Sequence, residues 1–218
     1  MLTDSQKITN YETLKHIEIV MQLLGSMQNE LLKRMFTHDR SKLETPELEM
    51  FEQFTSQLAG LTYGSDEYKT CLEQMKAQAL GHHYEHNRHH PEHFEDCPRD
   101  PQAMTAIAAT QDLINKLKHL KAQNPSSEDT FGYSLDIIIE HQKTLESNVN
   151  AMNLIDILEL LCDWYAACKR HNDGDIHKSI EINTERFGLS PQLKSILLNT
   201  VPLLQKDTYH QNTQKHLD

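Results

Sequence analysis

Met152-Asn153-Leu154-Ile155-Asp156-Ile157-Leu158-Glu159-Leu160-Leu161-Cys162-Asp163-Trp164-Tyr165-Ala166-Ala167-Cys168 is the most apolar run of the chain. It is too long for a typical strand. Its apolar residues Leu154, Ile155, Leu158, Leu161 and Trp164 recur at helical spacing, which predicts a buried helix. The same run carries Asp156, Glu159 and Asp163 at i, i+3 and i+7, so the three acids share one face. Acids on a buried helix are costly unless cations or hydrogen-bond donors meet them. The helix is therefore expected to be central, with one face turned toward polar chemistry.

Working outward, every long segment shows the same periodicity. Thr9-Asn10-Tyr11-Glu12 reads as a capping box. Leu14, Ile17, Met21, Leu24, Leu31 and Met35 follow it at helical spacing, with a bend or break expected at Gly25-Ser26. Thr45-Pro46 marks the next helix start, with Thr45 as N-cap and a stripe of Leu48, Phe51, Phe54 and Leu58. A helix holding Tyr68, Leu72, Met75 and Leu80 is expected to deliver His82 and His83 in its last turns. Further helices are read over 102–122, 135–145, 179–187 and 191–204, with Gly188 as a C-cap. A polar loop is expected at 123–129 and a frayed tail over 207–218. The chain has only 7 Gly and 7 Pro, and no βαβ alternation or internal repeat. These features predict an all-α bundle formed by one domain of 218 residues.

The formal net charge of -11 disfavours nonspecific binding to nucleic acid and to anionic membranes. No apolar run reaches the roughly 18 residues of a membrane span. The four cysteines form no CxxC pair and the N-terminus shows no signal-peptide pattern, so a cytoplasmic protein with reduced thiols is expected.

Six of the 14 histidines fall between His82 and His93. Neutral imidazole is the commonest protein metal ligand. On a continuous helix, His82, His86 and His89 would share one face, and His83, His86 and His90 an adjacent one. Pro91 is expected to end that helix at or before His90. A solvated His-rich turn is the alternative. Upstream, His38-Asp39 offers a nitrogen and an oxygen ligand side by side. Neighbouring helical side chains diverge by about 100°, so a convergent pair implies a helix end. His16 can join if its helix packs against that end, and Asp163 can close the set. Two His and two Asp fit Mn, Fe, Co, Ni or Zn. Extra imidazoles, chosen as His83, His89 and His90, would allow a second ion.

The order His16, His38-Asp39, the His pairs and Asp163-Trp164-Tyr165-Ala166 resembles the HD-domain metal-dependent phosphohydrolases. The fuller pattern is HDxSK at 38–42, YGSxEYK at 63–69, HHYxxNRHHPEHF at 82–94 and DIxExLCDW at 156–164. It is also similar to a phage and bacterial family known only as a domain of unknown function, over roughly 10–95 and 150–200. The segment around 100–150 looks like an insertion. The resemblance implies an HD-like helical bundle with one or two divalent ions on His16, His38, Asp39, His83, His89, His90 and Asp163. It implies hydrolysis of a nucleotide or other small phosphorylated molecule through a metal-bound hydroxide. Lys42 and Arg88 are the candidate phosphate contacts. Glu159, with Asp156, is expected to orient ligand histidines or handle protons. A di-iron oxygenase and a non-catalytic metal- or nucleotide-binding protein, in either case with a homo-oligomer allowed, are the alternatives.

Overall fold

A computed structural model of the chain describes residues 2–62, 65–75, 80–123, 128–170 and 173–214. Among the described residues there are helices and turns and no strand, as an all-α fold requires. The chain divides into two compact units, residues 1–87 and 88–218. The division falls inside the His-rich stretch.

The first unit begins with α1 (Asp4–Thr37). Its capping box is Thr3 with Gln6, not Thr9 with Glu12. Thr9 instead bonds back to the Ser5 carbonyl inside the helix. No break occurs at Gly25-Ser26: the Ser26 hydroxyl donates to the Gln22 carbonyl one turn earlier, and the helix runs through. A short 3-10 turn, Arg40–Leu43, leads to α2 (Glu47–Ala59) and α3 (Asp66–Met75). Phe54, Cys71 and Met75 are the buried centre between α2 and α3, with Phe51, Leu61 and Leu80 against them. Then comes the short helix α4 (Gly81–His86); residues 76–79, through which the preceding helix was expected to deliver His82 and His83, lie outside the described residues.

The second unit opens with a 3-10 turn, Pro91–Phe94, begun by the proline that was expected to stop the helix. A helical hairpin of α5 (Pro101–Gln123) and α6 (Glu128–Glu146) occupies most of 100–150, tied by Gln142 donating to Gln111. Its connecting residues 124–127, where the polar loop was expected, lie outside the described residues. The central helix α7 (Leu154–Cys168) packs with α8 (Ile176–Phe187) and α9 (Pro191–Gln214). The last helix thus extends beyond 204 into the expected tail, whose residues 215–218 lie outside the described residues. Leu160, Leu161, Ile180, Leu197 and Val201 fill the centre of this trio, and Trp164 stacks on Phe187. Gly188 ends α8 at φ 63, where an added Cβ would meet the Lys143 carbonyl oxygen at 2.6 Å. Glycine is the residue that fits there.

Ile180 is fully buried at 0% exposure. Ile180→Ala is expected to lower stability by about 2–5 kcal/mol through lost burial and a residual cavity. Urea unfolding checks this, and an unchanged midpoint would contradict the assigned core.

Candidate metal centre

In the first unit the end of α1 does what a convergent His-Asp pair needs. The helix stops at Thr37 with His38 as its C-cap, and Asp39 turns into the left-handed region at φ 55, ψ 14. Aspartate tolerates this conformation better than most residues. Asp39 makes no side-chain cap for the next turn. Its carboxylate lies 3.7 Å from His38 Nε2, 2.6 Å from Lys42 Nζ and 3.4 Å from His83 Nε2. Burial alone would raise the Asp39 pKa, but the Lys42 ammonium, with His38 and His83, outweighs it and holds the carboxyl below its usual range.

Behind His83 lies Glu47, in the first turn of α2 and 0% exposed. His82 Nδ1 approaches its Oε1 at 2.7 Å. His83 Nδ1 and the Ser41 hydroxyl approach its Oε2, each at 2.9 Å. The Asn87 amide nitrogen lies 2.7 Å from Ser41 Oγ, 2.9 Å from the His83 carbonyl oxygen and 2.9 Å from His83 Nδ1. Its two protons go to the two oxygens, so Ser41 can aim its own proton at Glu47 and Nδ1 can keep its proton for the carboxylate. Burial raises the Glu47 pKa, and the hydrogen bonds from His82, His83 and Ser41 more than offset this, leaving it lowered and the carboxylate ionised.

An ionised Glu47 accepts only, so it assigns the proton of neutral His83 to Nδ1. Burial, and then the Lys42 ammonium, push the His83 pKa down, which keeps the ring neutral. His83 Nε2 then presents a lone pair to an Asp39 oxygen 3.4 Å away. Two acceptors facing each other across that distance repel, and a cation between them would convert the repulsion into ligation. The residues present therefore fit a divalent ion, with Glu47 in the place of the carboxylate that orients a ligating histidine.

The second unit has its own set. His89 is 1% exposed, and its ring packs at a tilt of 43° against that of His90, with 4.1 Å between ring centres. Its Nδ1 lies 3.4 Å from Glu159 on α7. Ligand atoms of His89 and His90 lie within 4.8 Å of each other, as do those of His89 and Asp163. With His83 and His89 both buried, the stretch is not a solvated turn.

Two expectations are corrected. His16 lies mid-helix and exposed on an unbroken α1. Twenty-two residues at about 1.5 Å each place it roughly 33 Å from His38 of the same chain. It cannot share an ion with that residue. Arg88, expected as a phosphate contact, is engaged by a carboxylate. Its Nε and one terminal nitrogen fork onto Asp156 at 3.3 and 3.0 Å, and its guanidinium lies over Phe94. Asp156 is 0% exposed and also closes the capping box of α7 with Asn153. Arg88 thus neutralises a buried acid and ties the start of the second unit to its central helix. The common face of His82, His86 and His89 does not form either, because α4 ends at His86.

Sequence reasoning missed Glu47, Ser41 as its donor, and Asn87. Glu47 looked like an ordinary acid at a helix start, which the helix dipole favours anyway.

The chain belongs to a family of unknown function (DUF5662), whose model matches residues 5–123 and 139–203. That match includes α5 entirely, and the internal stretch it leaves out is 124–138. No curated protein and no solved structure matches the chain. Nothing in these comparisons indicates membership of the HD-domain superfamily, and the likeness to it is one of motifs.

Arg88→Met should destabilise the second unit by about 1–3 kcal/mol, because a buried carboxylate loses its charged donor. Thermal unfolding reads this directly. A variant with unchanged stability and only a catalytic defect would return Arg88 to the phosphate-binding role.

Proposed function

We propose that the protein is a metal-dependent phosphohydrolase acting on a nucleotide or another small phosphorylated molecule. The observation that carries the metal is the His83–Asp39 pair, two acceptors face to face with the imidazole proton fixed on the far side by Glu47. The candidate ligands are His38, Asp39, His83, His89, His90 and Asp163. Imidazole nitrogens with carboxylate oxygens suit Mn, Fe, Co, Ni or Zn, one or two ions per chain. A bound ion supplies Lewis acidity toward a phosphoryl oxygen and toward water.

The chain's own residues carry the rest. Glu47 holds His83 in one tautomer and orientation. Glu159, beside His89, is placed to do the same or to accept a proton. Lys42 keeps Asp39 ionised, and its flexible stem leaves the ammonium within reach of a phosphoryl oxygen. The motif likeness to HD-domain phosphohydrolases supports the reaction class, and the cytoplasmic setting expected from the cysteines suits a nucleotide substrate.

Metal analysis of the purified full chain, with a phosphatase and phosphodiesterase screen in Mn or Co, tests the reading. One or two divalent ions and phosphate release are expected. His83→Ala and His89→Ala should each lower metal content and abolish turnover. Iron with a charge-transfer band would point to oxygen chemistry instead. Stabilisation by a nucleotide without turnover would make the protein a binding module. Full metal content in both variants would contradict the centre.

A further inference from the structure

The geometry points to a second, peripheral site for a transition-metal cation on His82 and His86. These residues stand at i and i+4 on α4, with their rings stacked 4.0 Å apart and 18° from parallel. His82 Nδ1 lies 2.7 Å from Glu47 Oε1, and His86 Nδ1 lies 2.8 Å from the His82 carbonyl oxygen. Both partners are acceptors, so in each neutral ring the proton sits on Nδ1. Both Nε2 atoms therefore offer lone pairs from adjacent turns of one helix. Two histidines at this spacing are a recurrent bidentate grip for zinc-like ions. A ligand nitrogen of His82 and one of His86 lie within 4.8 Å of each other.

The buried Glu47 behind His82 fixes the ring orientation, as a supporting carboxylate does at zinc sites. His86 is exposed and the His82 side chain is 33% exposed, so an ion can enter from solvent and keep water in its other positions. Imidazole pairs select Zn, Ni, Co or Cu over Mg or Ca. The site is separate from the His83–Asp39 pair, because successive helical side chains diverge by about 100°. It does not rest on the phosphohydrolase reading.

The test is calorimetric titration of the metal-stripped full chain with Zn2+. His86→Ala, at an exposed position, should bind one equivalent fewer or bind it at least tenfold more weakly. His86→Cys, which restores a donor, should recover it. Identical stoichiometry and affinity in wild type and His86→Ala would overturn the site. His83→Ala reports on the other centre in the same assay, so failure of one proposal is distinguishable from failure of the other.

A different observation carries a second inference: we infer that α1 is covered by α1 of a second copy of this chain. None of the 34 residues of α1 is buried. Fourteen of its large apolar side chains, from Ile8 to Phe36, are at least 38% exposed. Leu14, Ile17, Met21, Leu24, Leu31 and Met35 repeat at three- and four-residue steps, with Gln28 in the remaining place. That is a coiled-coil seam, which a copy of itself satisfies, and a single polar residue in it sets the register. Stable interfaces use about 20–30 residues a side, which the helix alone supplies. The net charge of -11 disfavours an anionic bilayer as the cover. Light scattering of the full chain at micromolar concentration should give twice the 25.3 kDa chain mass. Met21→Glu with Leu24→Glu should halve it with helicity kept. A wild-type mass of one chain would overturn the inference, as when the helix is covered by its own chain or by lipid.

Discussion

One buried carboxylate organises the polar chemistry of the first unit. Glu47 is shut away from water and stays ionised only because His82, His83 and Ser41 aim donors at it. An unpaired carboxylate there would cost several kcal/mol. The same bonds that offset this cost also decide where each imidazole keeps its proton. Both Nδ1 atoms point at the acid, so both Nε2 atoms point away from it. The tautomers, and with them the capacity of two neighbouring histidines to ligate, follow from a residue that ligates nothing itself.

The second unit solves a similar problem with a different pair. Asp156 lies at the first turn of the most apolar helix, where it accepts the Asn153 amide of the capping box and the fork of Arg88. The pair anchors the residues that precede His89 to α7. Glu159, one turn on, meets His89. An acid on α7 thus stands beside His89 as Glu47 stands beside His83.

Much of this was legible where the signal is local. The apolar run of α7, the glycine at the end of α8 and the proline after His90 each act through backbone chemistry, and each appears where expected. The His38-Asp39 dyad was read as a helix end because adjacent helical side chains diverge, and α1 does end there. What was illegible depends on tertiary placement. Nothing in the residues around Glu47 distinguishes a fully buried acid from a solvated helix-start acid. His16 has the residue type and the order of a ligand, but an unbroken helix keeps it far from His38. Gly25-Ser26 is compatible with a bend and does not produce one, because an exposed glycine costs a long helix only about 1 kcal/mol. Arg88 has the charge for phosphate, and the acid that occupies it is 68 residues away in sequence.

The central claim is that Glu47 holds neutral His83 with its proton on Nδ1 and its Nε2 turned toward Asp39. Long-range 1H–15N NMR of the histidine rings in the metal-free full chain measures this directly. The account predicts a neutral His83 ring protonated at Nδ1, whose Nε2 resonance alone moves strongly when a divalent ion is added. A ring protonated at Nε2, or an Nε2 signal indifferent to the ion, would contradict it.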